Sequence, residues 1–300
     1  MNLFNKAVVS IIPIFPKKLV KIFANKYIAG DKLEDAVKTV LDLQKQGYVS
    51  TVDVLGESVT EKQTAIHCKD ENLQVIDAIV ENKLPAYLSV KLTMLGLDID
   101  YDFCYSLFEE TLAYAHEKGI FVRIDMEDSS VTEKTITIFE KAKAKYDNVG
   151  IVIQAYLRRS EDDVKRLIKI GASFRICKGI YVEPEEIAFK DKDEIRDNYE
   201  KLVRLALENG SYVGIATHDD HLVHKCEKII KELGLGNDKY EFQMLLGVRE
   251  QLRDQILASG HKVRIYVPFG KRWYEYSIRR FKENPHVAGQ VMKSIFTGGK

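Results

Sequence analysis

Residues 150–177 read GIVIQAYLRRSEDDVKRLIKIGASFRIC. Gly150 to Tyr156 is a short β-branched run, Glu161 to Ile170 is polar-flanked and of helical length, and Ser173 to Cys177 is a second short strand candidate. A strand, a helical crossover and another strand form the unit of parallel pairing, because a tight turn cannot return the chain to the same end of the sheet.

The same alternation runs outward in both directions. Strands are expected at Ser50 to Leu55, Ala86 to Leu92, Phe121 to Met126, Tyr212 to Thr217, Tyr240 to Leu245 and Lys262 to Pro268, eight with the two already quoted. Helices are expected at Tyr101 to Lys118, Thr132 to Tyr146, Glu194 to Asn209, His221 to Leu233 and Val248 to Ser259. Eight such units close into an α/β structure, a (β/α)8 TIM-type barrel. The domain reading is an N-terminal helical arm over residues 1–45, a barrel over 46–300, and a last helix over the barrel mouth. Glycine-rich loops of Rossmann or P-loop type are absent.

Composition narrows the function. With 45% hydrophobic residues, a chain of 300 buries a full core, and 45 basic against 45 acidic side chains leave no net field to hold nucleic acid. A small-molecule partner is expected. Cys68, Cys104, Cys177 and Cys226 form no CxxC pair, which argues against a structural zinc site or disulfide framework and places the chain in a reducing cytoplasm. Residues 2–28 carry an apolar run interrupted by Pro13 and followed by Lys17, Lys18 and Lys21. They read as amphipathic helices that pack on the domain, with peripheral docking to a membrane as the second reading.

Barrel enzymes carry their chemistry at the C-terminal ends of the strands. Polar residues collect there: Lys91, Asp125 with Glu127, Gln154 with Tyr156, Arg175, Lys178 and Tyr181, Thr217 and His218, Gln243, and on the eighth strand Arg264 and Tyr266. Beyond them, Tyr276, Arg279, Arg280 and Glu283 recur at helical spacing, one face with an aromatic, two guanidiniums and a carboxylate. Adjacent arginines suit a bidentate carboxylate ligand, although a solvated Arg–Glu face has the same spacing.

The ordered series SVKLT from Ser89, RIDME from Arg123, QAYLRRS from Gln154, RICKGIYVEP from Arg175, ATHD from Ala216, EFQML from Glu241 and RIYVPFG from Arg264, closed by Tyr276-x-x-Arg279-Arg280, resembles the proline dehydrogenase family. The resemblance implies a (β/α)8 flavoenzyme that binds FAD noncovalently, oxidises L-proline to Δ1-pyrroline-5-carboxylate and passes electrons to a membrane quinone. It assigns Arg279, Arg280 and Lys91 to the substrate carboxylate, with Glu283 ordering the last helix. Tyr181, Leu245, Tyr266 and Tyr276 would wall the ring, and Asp125 would bond Tyr266 and the arginines. Gln154, Arg175, Lys178, Gly179, Thr217, His218 and Gln243 would hold FAD. Cys177 and Ile180 depart from the family pattern. A separate pyrroline-5-carboxylate dehydrogenase would take the next step.

One rival reading comes from another class. His218, His221 and His224, with Asp219 and Asp220, offer ligands for a metal-dependent barrel hydrolase, although only His218 falls on a strand end. A non-enzymatic barrel is the third reading. Trp273 and Tyr274 are expected to cap the barrel mouth, and His67, His116 and His261 to lie on the surface.

Overall fold

A computed structural model describes residue 21 and residues 25–274. Eight strands, β1 (Val49–Val54), β2 (Ala86–Val90), β3 (Val122–Ile124), β4 (Val149–Gln154), β5 (Ser173–Cys177), β6 (Val213–Ala216), β7 (Tyr240–Leu245) and β8 (Val263–Phe269), pair in sequence order, all parallel, and β8 returns to β1 to close a barrel. The expected (β/α)8 architecture is therefore the observed one. β5 and β7 match their expected bounds and the other strands differ at their ends.

The outer ring comprises α1 (Leu33–Lys45), α2 (Lys62–Glu81), α3 (Tyr101–Glu117), α4 (Ser129–Lys143), α5 (Ser160–Ile168), α6 (Lys192–Glu208), α7 (Asp220–Glu232) and α8 (Glu250–Ala258). Aspartates start several of them, since a carboxylate at the N-cap accepts otherwise unpaired backbone N–H groups. Asp100 receives Phe103 N, Asp128 receives Ser130 N, and Asp191 receives Asp193 N and Glu194 N. The cap at Asp128 starts α4 three residues before the expected Thr132. α2, whose stretch was not among the helices named from the sequence, buries Lys69 and Asn72 beside its apolar residues. α1 packs on β1 and β8, closing the ring where the barrel itself closes.

Apolar side chains of strands and helices form a large core, with Phe108, Phe139, Phe174 and Phe242 fully buried, beside a small cluster of Tyr156, Leu157 and Ala188. The barrel interior is unusually polar. Arg123, Arg175, Glu241, Gln243 and Arg264 are all buried on strands. Space for them is made by small neighbours: a Cβ on Gly214 would stand 2.3 Å from Gln243 Nε2.

Candidate active site

The strand register sorts the interior into two levels. Arg264 pairs with Val49, the first residue of β1, and so belongs to the N-terminal half, away from the mouth where its motif suggested it. There its Nε and Nη2 meet Glu241 at 2.5 and 3.0 Å, Nη1 donates to Ser50 O, and the guanidinium lies 3.9 Å from the Tyr87 ring centre. Burial opposes the Glu241 charge, but Arg264 outweighs it and holds the carboxyl down at about 2. Around Tyr87, burial is likewise outweighed by Arg175, Arg264 and Arg123, and its phenol falls to about 8.

Gln243 links the two levels. Its Oε1 accepts from Arg175 Nε at 2.6 Å, while its Nε2 donates to Glu241 and to Tyr87 Oη at 2.7 and 3.0 Å. Arg175 Nη1 continues upward to Asp125 Oδ1 at 2.6 Å.

Asp125 is the hub of the mouth. It also accepts from Ser89 Oγ and from Tyr266 Oη, each at 2.6 Å, and Lys91 Nζ lies 3.3 Å from its Oδ2. The ammonium of Lys91 is held more closely by Asp53 at the end of β1, at 2.7 Å, and also reaches Tyr266 Oη at 3.2 Å. Burial opposes both carboxylate charges with different outcomes. Lys91 and Arg175 together hold Asp125 below the usual carboxylate range, whereas burial pushes Asp53 up to about 6 despite Lys91. Burial also opposes the Lys91 charge, but Asp53 and Asp125 keep it protonated well above its ordinary range.

The rim beside this hub is braced by backbone contacts. Glu127 receives Thr93 N and Thr93 Oγ1 at 3.1 and 2.5 Å, and burial pushes its carboxyl up to about 7. Gln154 Nε2 donates to Glu127 O at 2.8 Å, leaving Gln154 Oε1 buried without a partner. On the far side Asp219 binds Lys178 Nζ at 3.0 Å and Arg196 through Nε and Nη2, and also receives His221 N at the start of α7. Thr217 Oγ1 accepts from Asp219 N at 3.2 Å, and His218 Nε2 accepts from Leu245 N at 2.9 Å, tying β6 to β7. Gly179 has φ +104° and lies against the Tyr156 ring, where a Cβ would come within 2.0 Å of a ring carbon.

Lys91, Asp125, Arg175, Gln243 and Tyr266 thus form one hydrogen-bonded set. Gln154, Lys178, Gly179, Thr217, His218 and Leu245 stand at neighbouring strand ends, and half-buried Tyr181 follows β5. Tyr276, Arg279, Arg280 and Glu283 lie outside the described residues, as does most of 2–28. Asp53 and Ser89 were missed as site residues, and Asp219 was named only as a ligand in the metal reading. Asp53 stands in the apolar run VSTVDVL, and an acidic residue near the end of a buried strand was the available signal. His261 is also not a free surface residue: its Nδ1 lies 2.9 Å from Tyr240 Oη and its ring packs on Phe242.

The histidines proposed as metal ligands do not converge. His218 accepts from a backbone amide, and His224 Nδ1 lies 2.7 Å from Asp220 O one turn back on α7. Among the described residues no three His, Cys, Asp or Glu side chains gather to hold a metal ion. Trp273 is buried and packs edge-to-face on Tyr274 at 5.8 Å, with Lys21 Nζ 5.7 Å from its ring.

Fold and site together define a TIM-type barrel with charged groups gathered at its C-terminal mouth, where barrels of this class bind small molecules. The family model described as "Proline dehydrogenase" matches residues 36–293. The chain belongs to that family. It is 40% identical over 275 residues to "Proline dehydrogenase 2" of Bacillus subtilis (strain 168), covering 92% of this chain and 91% of that protein. "Proline dehydrogenase" of Deinococcus radiodurans is 33% identical over 280 residues, covering 92% and 90%. A crystal structure of proline utilization A from Bdellovibrio bacteriovorus, inactivated by N-propargylglycine, superposes with a TM-score of 0.84 at 27% identity. That match spans 92% of this chain and 34% of the longer one.

Proposed function

We propose that the protein oxidises L-proline to Δ1-pyrroline-5-carboxylate in proline catabolism, with FAD as the hydride acceptor and a membrane quinone as the final electron acceptor. The observation that carries this reading is the buried ammonium of Lys91 at the mouth, fixed between Asp53, Asp125 and Tyr266, in a chain of the proline dehydrogenase family. An ammonium so held is preorganised for a small carboxylate. Arg279 and Arg280 are assigned to the same carboxylate, with Glu283 ordering their helix, and Tyr181, Leu245, Tyr266 and Tyr276 to the apolar wall around the ring.

The residues fit a flavin. Gln154 Oε1, buried and unpartnered, suits an N–H donor of the ring system. Gly179 packs its backbone on the Tyr156 ring where no side chain would fit, and Arg175 and Lys178 supply positive charge for a cofactor that is anionic at its phosphates and becomes more so on reduction. Thr217, His218 and Gln243 complete the expected contacts. The bound flavin supplies the hydride acceptor; the chain supplies orientation, since the substrate carboxylate held at one end sets where the ring carbon beside nitrogen comes to rest. Asp125 keeps Lys91, Arg175 and Tyr266 in one arrangement, so substrate and cofactor sites share a hub.

We extend the proposal to the chain's surroundings. Residues 1–45 form an arm whose last helix, α1, packs on the strands, and 46–300 form the FAD-binding barrel. The protein is cytoplasmic, with residues 2–28 assisting docking to the membrane that holds the quinone, and a separate dehydrogenase takes the product onward. No described helix is long and apolar enough to cross a membrane.

The test is an anaerobic visible spectrum before and after L-proline. A flavin band near roughly 450 nm that bleaches on addition is the expected result, because the cofactor carries the redox chemistry. A flavin band that L-proline leaves unchanged would refute the substrate, and failure to retain FAD after reconstitution would refute the cofactor.

A further inference from the structure

Asp53 differs from the other charged groups of the mouth in how its two oxygens are used. The residue exposes 1% of its surface, Oδ1 lies 2.7 Å from Lys91 Nζ, and Oδ2 is buried with no hydrogen-bond partner. Asp125 shares the same ammonium but is held by Ser89, Arg175 and Tyr266 as well. A buried carboxylate oxygen without a donor is destabilising, and a proton on that oxygen relieves it.

Lys91 has three N–H donors, and Asp53, Asp125 and Tyr266 Oη are their partners. The groups facing Asp53 are Lys91 after β2, Asp125 after β3, Tyr266 on β8 and, through Asp125, Arg175 on β5. Two cations and two carboxylates balance there. A substrate carboxylate arriving at Lys91 adds a third anion to one ammonium. Asp125 has a guanidinium and two hydroxyl donors to keep its charge, whereas Asp53 has Lys91 and, as the smallest contribution, the Tyr266 hydroxyl.

We propose that Asp53 is the positioning residue for Lys91 and that it takes up a proton from solvent, on Oδ2, when a substrate carboxylate docks against Lys91. In the free site Asp53 is the anionic counter-ion that aims the ammonium at the mouth. In the complex the substrate carboxylate assumes that role, and Asp53 becomes a neutral acid. This rests on the reading of Lys91 as a substrate contact. An additional anion close by raises a carboxyl by roughly one to three pH units. Burial already brings Asp53 to about 6 in the free site, which places the change near neutrality.

The experiment is calorimetric titration of the FAD-loaded protein with cyclopentanecarboxylate, a saturated ring acid that has no amine to exchange protons. It is run at pH 7 in buffers of different ionisation enthalpy. The wild type is expected to take up about half a proton per ligand bound. Asp53→Asn should bring the uptake near zero and raise the KM for L-proline with a smaller change in kcat. Asp53→Glu should restore the uptake, and Glu127→Gln should leave it intact, which separates Asp53 from the other carboxyl that titrates near neutrality. Binding without buffer dependence in the wild type from pH 6 to 8, or uptake that persists in Asp53→Asn, overturns the proposal and leaves the substrate reading standing. The wild-type titration can overturn it alone if Asp53→Asn does not fold. No binding heat, together with no bleaching by L-proline, overturns the substrate reading and the proposal with it.

Discussion

Replacing Glu241 by Gln tests whether the lower level of the barrel is held by charge or only by shape. Glu241 is fully buried, and its oxygens receive Arg264 Nε and Nη2 together with Gln243 Nε2. Its carboxyl is held at about 2, against 4.5 for an ordinary glutamate. At 1.36 kcal/mol per pH unit this corresponds to about 3 kcal/mol of stability at neutral pH. Leaving a buried guanidinium with only carbonyl and amide partners gives a similar figure, about 3–5 kcal/mol. Because the folded value is depressed, the contribution is fully present above about pH 4.5 and is lost as pH falls toward 2. Glu241→Gln should therefore lower Tm at pH 7 by roughly 5–8 °C, the gap should narrow below about pH 4, and adding Arg264→Met should recover part of the loss. The assay is thermal unfolding by circular dichroism from pH 3 to 8. A loss under about 1 kcal/mol, or one unchanged across that range, would refute the electrostatic account.

Other substitutions test the mouth. Lys91→Met removes a charge-assisted contact worth about 1.5–3 kcal/mol, so KM for L-proline should rise roughly 10- to 100-fold in steady-state assays while the flavin-to-protein absorbance ratio is unchanged. Tyr266→Phe deletes the 2.6 Å bond to Asp125 and should lower kcat/KM about tenfold while preserving the fold by circular dichroism. Gly179→Ala places a methyl against the Tyr156 ring at φ +104°, and the purified protein should lose most of its FAD, measured as the absorbance ratio near 450 and 280 nm; full flavin occupancy would show that this backbone does not border the cofactor.

The strands and helices were largely legible because their signals are local. Short runs that alternate polar and apolar residues, such as Ser173–Cys177 and Tyr240–Leu245, carry their own period, and eight strands alternating with helices admit few closed arrangements. Reading strand ends also singled out Lys91 and Asp125, which the closed barrel brings into one hydrogen-bonded set with Arg175, Gln243 and Tyr266. It failed for Arg264, which lies near the start of β8, as the expected strand bounds already implied, and pairs with the first residue of β1.

The amino-acid sequence by itself determined the element order, the parallel barrel and most of the polar residues at its mouth, because each follows from a pattern a few residues long. Only the tertiary structure decided which charge faces which. Lys91 meets Asp53 across 38 residues and Tyr266 meets Asp125 across 141, contacts set by strand register and barrel closure. The same burial therefore leaves Asp125 firmly ionised and Asp53 near neutrality, since the outcome depends on how many donors the closed barrel brings to each.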